Sequence, residues 1–444
     1  MRTSDLHVVV GLGATGLSCV RFLRERGFNV AITDTRDAPP HLSALLDLYP
    51  DIALSLGGLS ETLLNRADRI ILSPGIPLTH PVIANQLARG KSVIGDIELF
   101  AQFVRVPVVA ITGTNAKSTV TTLIGKMGQA AGLHTLMGGN LGVPALDLLS
   151  DEKAELIVLE LSSFQLETTA SLRPKVATIL NITPDHMDRY ADFSAYQSAK
   201  QKVYRHCDVA VCNGDDPLTD VQTVENKFYF TLNKPLAKQF GIIRKQDDFL
   251  AFENQPLLNV NELPILGQHY YANALAALAI GHGVGLPFET MLKVLQEFQG
   301  LPHRCQLVRE RAQVKWYNDS KGTNVGATQA AILGLGATIP GKLILIAGGL
   351  GKNADFSPLI PVMEKYIRHV ILIGEAAPDL ANVIANKVPY TFASDMADAI
   401  EKAQASAHAL DCVLLSPACA SYDMFKNFEH RGEVFTKLVM DLSK

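Results

Sequence analysis

The stretch Val108-Val109-Ala110-Ile111-Thr112-Gly113-Thr114-Asn115-Ala116-Lys117-Ser118-Thr119 reads as a buried strand, a loop of small residues and the start of a helix. Beyond it Val120, Leu123, Ile124 and Met127 recur at helical spacing and predict one apolar face. The backbone N–H groups of such a loop cradle phosphates, with Lys117 reaching the β/γ oxygens and the Ser118 hydroxyl able to ligate Mg²⁺. ATP is the default ligand; an ordinary strand–turn–helix is the competing reading. The loop is not a full phosphate-loop consensus, because Ala116 occupies its last glycine position. If the backbone there needs positive φ, alanine is strained by about 1 kcal/mol or more.

A phosphate loop of this kind needs a metal carboxylate on a neighbouring strand. Leu156-Ile157-Val158-Leu159-Glu160 supplies four apolar residues and then an acid, at the strand end that shares an edge with the loop in a parallel sheet. Asn181-Ile182-Thr183-Pro184-Asp185-His186-Met187-Asp188 sets two acids and a histidine after another apolar run. His186 is either a ligand to a second Mg²⁺-type ion or simply an exposed loop histidine.

The same strand–turn–helix grammar recurs along the chain. His7-Val8-Val9-Val10 leads into Gly11-Leu12-Gly13-Ala14-Thr15-Gly16, and Asp34 ends the next strand. These glycines permit a tight turn and let the backbone approach a pyrophosphate at a helix N-terminus, with Asp34 placed for a ribose hydroxyl. Thr35 and Arg36 add donors, so NAD(P), uridine or another nucleotide fits equally. Apolar runs near Val176, Leu343, Val370 and Cys412, alternating with helices, imply parallel sheets covered on both faces. Asn213 to Glu262, with few long apolar runs, predicts a small β-rich elaboration. The class is α/β with three domains: 1–96 Rossmann-like, 97–301 built on the phosphate loop, and 302–444 Rossmann-like again.

Composition agrees. At ~150 residues per domain, 444 residues suggest about three. Lys+Arg 40 against Asp+Glu 44 leaves a formal charge of −4, without the basic footprint of a nucleic-acid binder. No apolar stretch approaches the ~18 residues of a membrane span, and the N-terminus shows no signal-peptide core. Six cysteines without a C-x-x-C pair argue against a disulfide framework or structural zinc. The expectation is a cytoplasmic enzyme. Two nucleotide sites without an obvious hydride acceptor point away from redox chemistry and towards ATP-driven joining of a nucleotide-carrying substrate to something else.

At these residues the sequence resembles the Mur ligase family, which also contains folylpolyglutamate synthases. Matching blocks include Gly11 to Ser18, Asp34-Thr35-Arg36, Ser73-Pro74-Gly75, Thr112 to Thr119, Glu160 to Glu167, Asp185 to Tyr190, Leu301 to Arg304, Asn318 to Lys321, Gly348 to Lys352 and Ser416 to Ser421. The Ser162-Ser163-Phe164-Gln165-Leu166-Glu167 block, and the run to Asn427-Phe428-Glu429, resemble the branch that adds D-glutamate. The resemblance implies an ATP-dependent amide-bond ligase of peptidoglycan precursor synthesis. It joins D-glutamate to UDP-N-acetylmuramoyl-L-alanine through an acyl phosphate, and works as a monomer with two Mg²⁺ ions, Mn²⁺ being an alternative.

Residue by residue, the resemblance implies that Gly113, Thr114, Asn115, Ala116, Lys117, Ser118, Thr119, Asn273, Arg304 and Asp319 bind ATP. Ser118, Glu160, His186 and Lys200 would hold metal, Lys200 as a carbamate, which turns a cationic amine into an anionic oxygen ligand. The bland alternative for Lys200 is a solvated lysine beside Lys202, and Asn273 could simply cap a helix. Ala14, Thr15, Asp34, Thr35, Arg36, Ser73, Gly75, Asn140, Gln165 and His186 would contact the UDP substrate. Lys321, Thr323, Lys352, Ser421 and Phe428 would form the D-glutamate pocket, where two lysines suit a dicarboxylate. Lys117, His186, Lys200 and Lys321 would carry the chemistry. Competing readings are a relative using another amino acid or a folate carrier, a nucleotide sensor without catalysis, and an NAD dehydrogenase.

Overall fold

A computed structural model describes residues 4–265 and 267–442. The described residues form three sheets. The first is wholly parallel, in the spatial order Ala53–Ser55, Asn29–Thr33, Leu6–Val10, Arg69–Leu72, Ser92–Ile94. The second has nine strands, with Val108–Thr112 between Leu156–Glu160 and Val176–Ile179. Its far end, Gln239–Arg244, Asp248–Phe252 and Gln255–Asn259, is antiparallel. The third has six strands, parallel apart from the hairpin Gln306–Arg311 with Val314–Asn318. The expected α/β class with parallel-dominated sheets is what the chain builds, and the β-rich stretch joins the edge of the central sheet.

The central strands are apolar on both faces because helices cover both. Val109, Ala110 and Ile111 are fully buried, and the helix Lys117–Ala130 sets Val120, Leu123, Ile124 and Met127 against the sheet. One apolar core runs continuously from the first sheet into the second, including Val9, Leu12, Phe100, Leu159 and Tyr204. Polar ties reinforce that junction. Glu98 accepts from the Ala170 and Ser171 backbone and the Ser171 hydroxyl, and Asp147 takes Ser18 and Arg21. The third sheet has its own two cores, whose buried members among the described residues begin at Val314. No helix among the described residues is long and apolar enough to cross a membrane.

The glycine turn after Leu6–Val10 depends on close approach. Gly11 has φ +93°, its carbonyl accepts from the Ser73 hydroxyl at 3.0 Å, and a Cβ at Gly16 would run into that carbonyl oxygen. Gly16→Ala therefore lowers stability by about 1–3 kcal/mol. Thermal denaturation checks this; an unchanged midpoint contradicts the packing.

Candidate active site

The phosphate loop is braced from the strand beside it. Asn181 accepts from the Asn115 N–H at 2.8 Å through its side chain and from the Thr114 N–H at 2.9 Å through its carbonyl. The Thr114 hydroxyl donates to the Thr183 carbonyl and meets the Tyr196 hydroxyl at 3.0 Å. Ala116 has φ +68° at the helix N-cap, so the strained alanine foreseen in the sequence is present.

Two lysines, Lys200 buried and Lys117 half-buried, converge on one carbonyl. Lys117 Nζ donates to Gly113 O and Thr114 O, both at 2.9 Å, and Lys200 Nζ donates to Gly113 O at 2.8 Å. Lys200 is 2% exposed, so the solvated-lysine alternative fails. Burial pushes the Lys200 amine well below its ordinary pKa, with Lys117 adding repulsion. Burial lowers Lys117 too, opposed by the Glu160 carboxylate.

The third sheet delivers more positive charge to the same place. Arg304 and Lys321 donate to the Ser118 hydroxyl at 3.2 and 3.1 Å. Lys321 lies 4.6 Å over the Phe428 ring, and burial, helped by Arg304, brings its pKa down to about 8. Asp319 holds the Cys305 N–H and the Ser416 hydroxyl, and burial raises its carboxyl to about 6. Arg431, almost wholly buried, grips Ser320 and the Cys419 and Ala420 carbonyls. It thereby fixes the segment that carries Lys321.

The acids face this charge. Glu160 is 2% exposed; its Oε1 accepts from Asn140 at 2.8 Å and, among the described residues, its Oε2 has no hydrogen-bond partner. Burial alone would raise its pKa, but Lys117 and Asn140 outweigh it and hold the carboxyl below the usual range. The Ser118 hydroxyl helps, although it lies outside hydrogen-bond geometry to Oε2. Asp185 accepts from Lys352 at 3.0 Å and stands 3.6 Å from His186 Nε2, and the His186 ring meets Phe164 edge-on. Burial keeps His186 below its ordinary pKa, hence neutral and able to ligate.

An orphaned, buried carboxylate oxygen beside a hydroxyl fits a hard divalent cation, so Glu160 and Ser118 suit Mg²⁺. Among the described residues no three His, Cys, Asp or Glu side chains form a metal-binding group. Beside His186 the groups in place are the Asp185 carboxylate and, as an unmodified amine that donates to Gly113, Lys200.

The other predicted residues lie around the first glycine turn, beside Glu160, along the helices and in loops of the third sheet. The four lone-pair directions of Asp34 are taken by the Leu12 N–H (2.6 Å), the Arg36 N–H and Nε (2.9 Å each) and Arg36 Nη2 (2.7 Å). It braces the glycine turn and leaves no free oxygen for a ribose hydroxyl. Ala14, Thr35, Arg36 and Gly75 are exposed and Thr15 and Ser73 half-buried, while Asn140, also exposed, donates to Glu160 at the carboxyl end of Leu156–Glu160. Gln165 is buried in its own capping box with Ser162 and donates to Asp96 at 2.9 Å. Asn273 lies inside the helix Gln268–Val284 and caps nothing. Thr119 and Ser421 are buried and Thr323 half-buried.

Sequence reasoning passed over Arg189, which donates to the Pro74 and Ile76 carbonyls and stacks on Phe164, tying the first sheet's loop to the His186 neighbourhood. It also passed over Asn324, whose only signal was a capping residue ahead of Val325.

The family descriptions "Mur ligase MurD-like, N-terminal domain", "Mur ligase middle domain" and "Mur ligase, glutamate ligase domain" match residues 5–95, 111–281 and 303–419. The chain belongs to the Mur ligase family. A UDP-N-acetylmuramoylalanine–D-glutamate ligase of Pseudomonas putida is 51% identical over 438 residues, covering 98% of this chain and 97% of its own. One from Coxiella burnetii is 49% identical, with 99% of each chain covered. The crystal structure of a UDP-N-acetylmuramate–alanine ligase from Thermotoga maritima shares the Mur ligase fold, with TM-score 0.62 at 17% identity over 99% of this chain and all of its own.

The Asp34 brace makes a pH prediction. Burial would raise its carboxyl, but Arg36 and Leu12 bring it down to about 2, from 3.8. A depressed carboxylate adds stability above its unfolded pKa and loses it as pH falls through the folded one. Asp34→Asn should cost on the order of 2 kcal/mol at pH 7, with the gap to the parent shrinking between about pH 4 and 2. Equal unfolding free energies at pH 7 would contradict the brace.

Proposed function

We propose that this Mur ligase adds D-glutamate to UDP-N-acetylmuramoyl-L-alanine, consuming ATP and releasing ADP and phosphate. The observation that carries the reading is the meeting of Arg304 and Lys321, from the third sheet, with Ser118 of the phosphate loop in the second. Full-length likeness to D-glutamate ligases supports the choice of amino acid.

The chemistry follows from leaving groups. A carboxylate resists amine attack because oxide is a poor leaving group, so the lactoyl-alanine carboxylate is first phosphorylated by ATP. The D-glutamate amine then attacks the acyl phosphate, the C–O bond breaks, and phosphate departs with its electron pair. The protein's part is positioning and charge neutralisation. Lys117, Arg304 and Lys321 surround the transferring phosphoryl group with fixed positive charge. Lys321 and Lys352 have the charge to hold the two D-glutamate carboxylates, Lys352 exchanging its Asp185 partner for substrate. Arg36, half exposed at the first glycine turn and held by Asp34 through Nε and Nη2, has the charge and the exposure to meet the UDP pyrophosphate. Bound Mg²⁺, held by Ser118 and Glu160, would screen the phosphate oxygens, and His186 with carbamylated Lys200 would hold a second ion. Depression of the Lys200 pKa supplies the neutral amine that carbamylation by CO₂ needs.

The test is ADP release with UDP-N-acetylmuramoyl-L-alanine against a panel of D- and L-amino acids. D-glutamate alone should support turnover; an equal response to L-alanine, or to no amino acid, contradicts the reading. Lys117→Ala should lose roughly 10²–10³ in kcat. Lys200→Ala should lose activity that short-chain carboxylates partly restore; loss without rescue would argue against the carbamate.

A further inference from the structure

The third sheet meets the phosphate loop through one neutral side chain as well as through cations. Asn324 is 7% exposed and precedes the helix Val325–Gly336. Its Oδ1 caps that helix by accepting from the Ala327 N–H at 2.9 Å, and also accepts from Asn115 Nδ2 at 3.3 Å. Its Nδ2 donates to Asn115 Oδ1 at 3.1 Å and to Asp185 Oδ2 at 3.2 Å. All four hydrogen-bonding positions of the amide are therefore used. The approach is built on both sides. A Cβ at Gly326 would come within 2.9 Å of Thr183 Oγ1, so the glycine lets this helix end reach the loop. Asn115 in turn is pinned by Asn181.

The cationic contacts differ in kind. Arg304 and Lys321 rest on the Ser118 hydroxyl, and Lys352 on Asp185, so each must exchange partners when phosphate, metal or a substrate carboxylate arrives. The Asn324–Asn115 amide pair carries no charge and can persist through that exchange.

The geometry points to Asn324 as a positioning residue that docks the third sheet on the phosphate loop and on the aspartate beside His186, independently of the charges that meet substrate. The inference rests on the ligase reading for its kinetic consequence but not for its structural one. Asn324→Ser separates the two jobs of the side chain, because serine caps a helix about as well as asparagine but lacks the two-donor amide. In this variant the unfolding midpoint should stay within about 2 °C of the parent. D-glutamate-dependent kcat should fall at least tenfold while the ATP KM moves less than threefold. Losses in Asn324→Ser and Asn115→Ala should combine to less than their product.

Hydrogen exchange of the full chain without substrates gives a second readout: the Thr114 and Asn115 amides should lose protection in Asn324→Ser. Parent-like kcat, fully multiplying losses, a kcat drop that merely follows a lowered midpoint, or unchanged amide protection would each overturn the assignment. A parent protein that turns over without D-glutamate would instead overturn the ligase reading, leaving the exchange result to decide this one.

Discussion

Positive charge buried without enough negative charge to match it is the constraint on which the centre of this molecule depends. Lys117, Arg304 and Lys321 crowd around the loop 113–118, beside the Lys200 amine, and burial pushes each towards its neutral form, Lys200 most strongly. Glu160, Asp185 and Asp319 are the acids among them; Asp185 is already paired with Lys352, burial raises Asp319 to about 6, and one Glu160 oxygen has no hydrogen-bond partner among the described residues. Desolvating like charges together costs several kcal/mol unless an anion joins them. A triphosphate supplies that anion, which makes nucleotide binding the event that relieves the site.

The architecture divides labour around this charge. The first two sheets share one apolar core, so the nucleotide-turn end and the phosphate loop are held as one body. The third sheet carries separate cores and reaches the loop through polar groups: Arg304, Lys321, Asn324 and Lys352. Polar contacts form and break at far lower cost than a shared core, so the amino-acid side of the reaction can be brought in and released while the rest stays fixed.

Much of this was legible in the residues. The apolar run 108–112 followed by small residues and Lys-Ser dictates a central strand, a turn and a helix, because each backbone need is met locally. The metal-edge position of Glu160 follows from parallel pairing of Leu156–Glu160 with Val108–Thr112. Tertiary satisfaction was not legible. Asp34 has the spacing of a ribose ligand, yet Leu12 and Arg36 consume its lone pairs. Gln165 reads as a substrate contact; its capping box with Ser162 is local, but its bond to Asp96 is a tertiary feature the sequence does not announce. Lys200 sits near Lys202 in a polar-looking helix, and only the fold reveals that one is buried against Gly113. Asn324 and Asn115 lie 209 residues apart, a pairing no local pattern announces.

Titration calorimetry with adenosine, ADP and a non-hydrolysable ATP analogue, each with Mg²⁺, tests the charge account most directly. If the buried cations exist to meet phosphate, affinity climbs with each phosphate, and the triphosphate binds at least ~100-fold tighter than adenosine, about 2.7 kcal/mol. Adenosine binding as tightly as the triphosphate would contradict it.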